Sequence, residues 1–144
     1  MSAEFFVSPE EIACACQGDL PPLAVSGLEL FNHGEYFEAH EALELAWREE
    51  PGPARELYRG ILQIGVAYYH ILRGNYRGAV KMFLRSRTWL EPFPDRCRGI
   101  DLARFRQDYN RVEQTLRALG PDRLGSFDRG LMKPIHYTDR EEQA

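Results

Sequence analysis

Residues 34–47 read Gly-Glu-Tyr-Phe-Glu-Ala-His-Glu-Ala-Leu-Glu-Leu-Ala-Trp. One histidine, His40, and three glutamates, Glu38, Glu41 and Glu44, stand among regularly spaced apolar residues. On a helix, a rotation of about 100° per residue stacks His40 and Glu44 one turn apart on one face. An imidazole beside a carboxylate can move a proton, or the two can share a divalent metal. The same rotation sends Glu38 and Glu41 toward water. Glu41 joins the pair only with help from another element. His-x-x-x-Glu lacks the second histidine of the His-Glu-x-x-His signature, so neither a tightly held metal nor a cofactor is expected. No Gly-rich phosphate loop or nucleophile elbow accompanies it. His40 and Glu44 are the candidate catalytic residues.

A second polar line lies downstream. The stretch Ala54–Gly74 is apolar around most of its circumference, yet Glu56, Arg59, Gln63 and His70 fall within about 60° of one another at helical spacing. Polar residues confined to one line of a buried helix need a groove or polar partners. Short loops make successive helices antiparallel neighbours, which brings this line toward His40 and Glu44. Two outcomes are open. In one, Glu44 pairs with Arg59 while His40 and Gln63 satisfy each other, and the network only fixes helix register. In the other, His40, Glu44 and His70 line a pocket. Further along, Arg73, Arg77, Lys81 and Arg85 recur every four residues as a cationic ridge, read first as a solvated face.

The elements that must position these residues are helices. Ser8 followed by Pro9 and two glutamates opens a helix that stops near Gly18. Further helical stretches run from Pro21 to Gly34, from Tyr36 to Pro51, from 54 to 73, and from Tyr76 to the prolines at 92 and 94. Asp101 caps a last helix that ends at Gly120. Strand signals are almost absent. Residues 121–144 have no helical period; they are expected to lie as an extended tail on the surface, pinned by Phe127, Leu131 and Ile135. Two stretches repeat: Gly-x-Tyr, then an alanine three residues on, then a closing proline, with Gly34 and Gly74 40 residues apart. This is similar to the second half of a tetratricopeptide repeat, with Ala39 and Ala79 at close helix crossings. The expected fold is one all-α domain over 1–144, a bundle of five to six helices with two tetratricopeptide-like hairpins.

The totals bound the function. A chain of 144 residues with 44% hydrophobic and 28% charged residues is an ordinary globular domain. No apolar run is long enough to span a bilayer, and the acidic amino terminus does not resemble a signal peptide. Cys14, Cys16 and Cys97 give an odd count without zinc-ligand spacing, read as reduced thiols in a cytoplasm. The net charge of −4 hides a polarity: residues 1–51 carry 11 acidic and one basic side chain, and residues 52–144 carry 11 acidic and 17 basic. Copies of such a chain could attract each other, with Phe5, Phe6 or Phe127 as the apolar centre of a homodimer. The acidic total and the lack of stacking aromatics on the ridge argue against nucleic acid.

Phe31, Gly34, Tyr36, His40, Glu41, Glu44 and Trp47, then Arg59 and Gln63, then Arg73-Gly74-Asn75, resemble the pattern of the domain of unknown function 309 family of bacteria and archaea. The resemblance covers roughly residues 26–102. It implies an all-α bundle and no established activity, and it adds interest to Glu41. The candidate binding residues are thus Glu41, Trp47, Arg59, Gln63 and His70. The expected function is a small cytoplasmic binding or scaffold module with a protein or small-molecule partner. The alternative is a hydrolase-like enzyme that uses His40 and Glu44, with or without a divalent metal.

Overall fold

The computed structural model describes residues 7–138. Six α-helices carry the fold: α1 (Pro9–Cys16), α2 (Pro22–Asn32), α3 (Tyr36–Glu49), α4 (Ala54–Leu72), α5 (Tyr76–Leu90) and α6 (Leu102–Leu119). The expected all-α bundle is what forms. Local chemistry sets the ends. Ser8 and Glu11 make a reciprocal capping box at the start of α1. Asn75 caps α5 through Gly78 N, and Asp101 caps α6 through Arg104 N at 3.0 Å.

Helices α2 to α5 pack as consecutive antiparallel neighbours, with α4 between α3 and α5. The same turn closes both hairpins. Gly34 and Gly74 have φ of 78° and 75°, a left-handed conformation that glycine adopts without a Cβ clash. Glu35 N donates to Leu30 O and Asn75 N to His70 O, so two helix ends are finished by the same wrapped turn. Ala39 and Ala79 are buried, as close crossings require. Gly60 brings α4 against α5 more closely still: a Cβ there would sit 2.4 Å from Leu90 Cγ. The core runs beneath this layer, where Phe31, Tyr36, Tyr68 and Phe105 make edge-to-face contacts and Phe83 meets Tyr68 at a tilt.

Three expectations are corrected. First, Cys16 and Cys97 are joined in a disulfide, and only Cys14 is an exposed free thiol among the described cysteines. The sequence shows no spacing that would announce this, because the two residues meet only through a turn. Arg96–Cys97 and Ile100–Asp101 form a two-residue antiparallel ladder (β1 and β2), and Arg98 N donates to Cys16 O at 2.8 Å across the junction. Arg98 sits at φ 50°, a conformation unusual for a residue with a side chain. Its guanidinium holds it there, donating to Ala15 O at 2.7 Å, Glu50 Oε1 at 2.9 Å and the Tyr58 hydroxyl at 2.9 Å.

Second, residues 121–138 are not a plain extended tail. Pro121–Ser126 and Arg129–Leu131 coil into short 3-10 turns. The chain is then tied back. The Asn32 side chain donates to Ile135 O and accepts from Ile135 N, and Asp101 N donates to His136 O. Third, Phe127 does not stand at an exposed interface; it pins the segment, as Phe127 and Ile135 were expected to do. Leu124, Phe127 and Ile135 are buried, so Phe127 cannot serve as an exposed interface residue. Phe5 and Phe6, the other residues named for that role, lie outside the described residues. No described helix is long and apolar enough to cross a membrane.

Candidate functional site

Helix α3 carries the first candidates. Tyr36, Ala39, Leu43 and Ala46 are buried, and Glu38 and Glu41 are exposed, as the helical period predicts. His40 and Glu44 lie at the edge of the stripe, each about one third exposed, with Nε2 and Oε1 3.5 Å apart. The other carboxylate oxygen of Glu44 is 2.6 Å from Arg48 Nη2, one further turn along α3.

The expected Glu44–Arg59 ion pair does not form. Arg59 instead lies against two indole rings, one from each neighbouring helix, 4.4 Å from the Trp47 ring centre on α3 and 4.1 Å from that of Trp89 on α5. Its Nε is 3.2 Å from Glu56 on its own helix. A flat, weakly hydrated guanidinium gains more between two π faces than at an exposed carboxylate already neutralised by Arg48. Replacing Arg59 by methionine is therefore expected to cost about 1–2 kcal/mol, the scale of desolvated cation–π contacts. Urea unfolding measures it, and an unchanged midpoint would show that the stack contributes nothing. His40 and Gln63 do not satisfy each other: Gln63 Oε1 and Trp47 Nε1 are buried without hydrogen-bond partners among the described residues.

His40 does meet His70, across a small cleft rather than in a bond. Tyr36, Phe37, His40, Val66, Tyr69 and His70 line a space of about 180 Å³ between α3 and α4. Phe37 and Tyr69 face each other at 5.8 Å, and Phe37 is half exposed at the rim. The Asn75 amide lies 3.3 Å from His70 Nδ1. Partial burial pushes the His70 imidazole below the ordinary value of 6.5. Folding then favours the neutral ring, so its contribution to stability is present above about pH 6.5 and is lost as pH falls through the folded-state value. The His70 ring resonances should titrate below 6.5, and His70→Asn should flatten the loss of stability between pH 7 and 5. A ring that titrates at or above 6.5 would contradict this.

Among the described residues no three of His, Cys, Asp or Glu stand where they could hold one metal ion. Glu41 stays exposed, apart from the cleft. Thus His40 and His70 share the cleft, Trp47 and Arg59 share the stack, and Glu44 links them along α3. The sequence reading missed Phe37, Tyr69 and Trp89. Phe37 had a signal, since it lies one turn before Glu41 and beside His40. Trp89 had none, because its height relative to Arg59 depends on how α4 and α5 cross.

A small helical fold with an aromatic cleft and an Arg–Trp stack defines a class by architecture alone. Residues 25–82 match the family model described as Domain of unknown function (DUF309). The segment runs from α2 into α5, so it includes the cleft and Arg59 but ends before Trp89 and leaves out both disulfide cysteines. The chain is 43% identical over 53 residues to "Uncharacterized protein YpuF" of Bacillus subtilis (strain 168), covering 36% of this chain and 30% of that protein. It is 28% identical over 98 residues to an uncharacterized protein of Aquifex aeolicus (strain VF5), covering 65% of this chain and 28% of that one. The matched stretches thus span less than a third of either relative.

Proposed function

We propose that this chain is a binding module, and that its docking face is the open side of the layer formed by α3, α4 and α5. The cleft of about 180 Å³ at Phe37, His40, Val66 and Tyr69 carries the reading. Sites for drug-sized ligands occupy about 300–1,000 Å³, so this one suits a single apolar side chain of a larger partner. The half-exposed Phe37 at the rim gives such a side chain an aromatic edge to pack on. Two similar hairpins in a row, each with a buried alanine crossing, support the tetratricopeptide-like description and a protein partner.

The hydrolase-like alternative keeps one observation, the 3.5 Å approach of His40 and Glu44 at the cleft mouth. Arg48 already occupies the other oxygen of Glu44, which leaves the carboxylate better placed to orient the imidazole than to attack or take up a proton. A cytoplasmic location loses its support from reduced thiols, since the Cys16–Cys97 bridge suits an oxidising compartment. Random peptides displayed on phage and selected on the immobilised chain test the reading. Recovered peptides should share one aromatic or aliphatic residue and lose binding to a Phe37→Glu variant. Enriched peptides that bind the variant equally well, or no enrichment, would overturn it.

A further inference from the structure

The open side of the α3–α4–α5 layer carries opposite charges on its two flanks. The outer face of α3 presents Glu38, Glu41 and Glu49 around Leu45, which is 47% exposed. The outer face of α5 presents Arg77, Lys81 and Arg85, with Leu84, 55% exposed, at the edge of the ridge. Helical rotation turns both faces away from the core. On α3 the buried residues Tyr36, Ala39, Leu43 and Ala46 point opposite to Leu45, and on α5 Ala79, Phe83, Ser86 and Leu90 point opposite to the Lys81–Leu84 side. Large apolar residues set singly in charged helices are ordinary. What sets these two helices apart is the opposite sign of their exposed charges.

Resting on the docking-face reading, we infer that the occupant is a second copy of this chain, bound face to face about a two-fold axis parallel to α4. The repeat fixes the register. α3 and α5 both run antiparallel to α4 and begin at equivalent turns, Gly34 and Gly74, so α3 residue n lies at the height of α5 residue n + 40. An axis parallel to the helices keeps heights and exchanges flanks. It therefore sets α3 of each copy over α5 of the other. Glu41 meets the partner's Lys81 level, and Glu38 falls within one residue, about 1.5 Å along the axis, of that of Arg77. Every contact occurs twice, as an isologous interface demands. Arg48, the one basic residue on the outer side of α3, is already held by Glu44.

The size is adequate. Three helices about 20–28 Å long at 8–10 Å spacing present on the order of 600 Å² per copy, near the roughly 800 Å² of a standard interface. A polyanion such as nucleic acid fits poorly, because the basic flank that attracts it lies beside an acidic flank that repels it. A second copy satisfies both.

Sedimentation equilibrium of the full chain, at concentrations up to hundreds of micromolar and at low and high salt, provides the test. Wild type should dimerise more weakly in high salt. Glu41→Arg and Lys81→Glu, both at exposed positions, should each weaken association about tenfold or more, because each places like charges opposite one another twice. An equimolar mixture of the two variants should recover it, since every altered pair is then attractive. Circular dichroism of each variant checks that the helices are intact. A monomeric wild type, single variants that associate normally, or a mixture that stays monomeric would overturn the inference. If it falls while phage-selected peptides still require Phe37, the docking face stands and only its occupant is wrong.

Discussion

Arg87→Met combined with Arg117→Met is expected to destabilise the protein by about 3–5 kcal/mol, the cost of stranding a buried charge. The charge is Glu113 on α6, whose residue is only 3% exposed. Arg87 reaches it from α5 through both terminal nitrogens, and Arg117 adds a contact at 3.2 Å from one turn along α6. The two arginine side chains are themselves 42% and 47% exposed. The penalty is therefore asymmetric. Without its arginines, the carboxylate has no route to water. Without the carboxylate, the arginines can swing outward. Glu113→Leu placed in the double-methionine background should consequently restore most of the loss, since an apolar side chain of similar volume suits the site. Urea unfolding of the three proteins decides this. Equal midpoints for wild type and the double variant would show that the carboxylate is solvated in solution.

The second large effect is expected from Cys97→Ser. The bridge to Cys16 closes a loop across 81 residues of sequence, and chain-entropy scaling assigns a loop of that length about 4.5 kcal/mol. Part of this comes from holding α1, which buries only Ile12 of its own and would be weakly attached without the bond. Urea midpoints should fall for Cys97→Ser, and wild type in excess dithiothreitol should fall to match it. Identical midpoints with and without reductant would mean that the thiols are not joined in solution.

Much of this architecture is legible from short-range chemistry. The caps at Ser8, Asn75 and Asp101, the turns at Gly34 and Gly74, and the stops at proline each act within a few residues, so they can be read without knowing the fold. The polar line on α4 follows from helical rotation in the same way. Glu113 was within reach of that method, because it falls among Phe105, Tyr109, Val112 and Leu116 on the apolar side of α6. The failures share another cause. Rotation says which face a residue occupies, not its height against a neighbouring helix. Arg59 was assigned to Glu44 for want of that height, and the indole of Trp89 on the opposite flank decided otherwise. Cys16 and Cys97 met through a two-residue ladder too short to leave an alternating pattern. Residues 121–138 gain order from scattered contacts at Leu124, Phe127, Ile135 and Asn32, which no period encodes.

On the reading proposed above, a partner docks on the open face of α3, α4 and α5 with an apolar side chain seated beside His40. Chemical-shift mapping of the isotopically labelled chain, titrated with millimolar N-acetyl-phenylalaninamide, tests it most directly. Concerted, saturable shifts are expected at Phe37, His40, Val66, Tyr69 and His70, abolished by Phe37→Glu. Shifts concentrated instead around the cavity at Cys16, Arg96 and Arg98, or at the cleft of Leu124, Phe127 and Arg129, would contradict it.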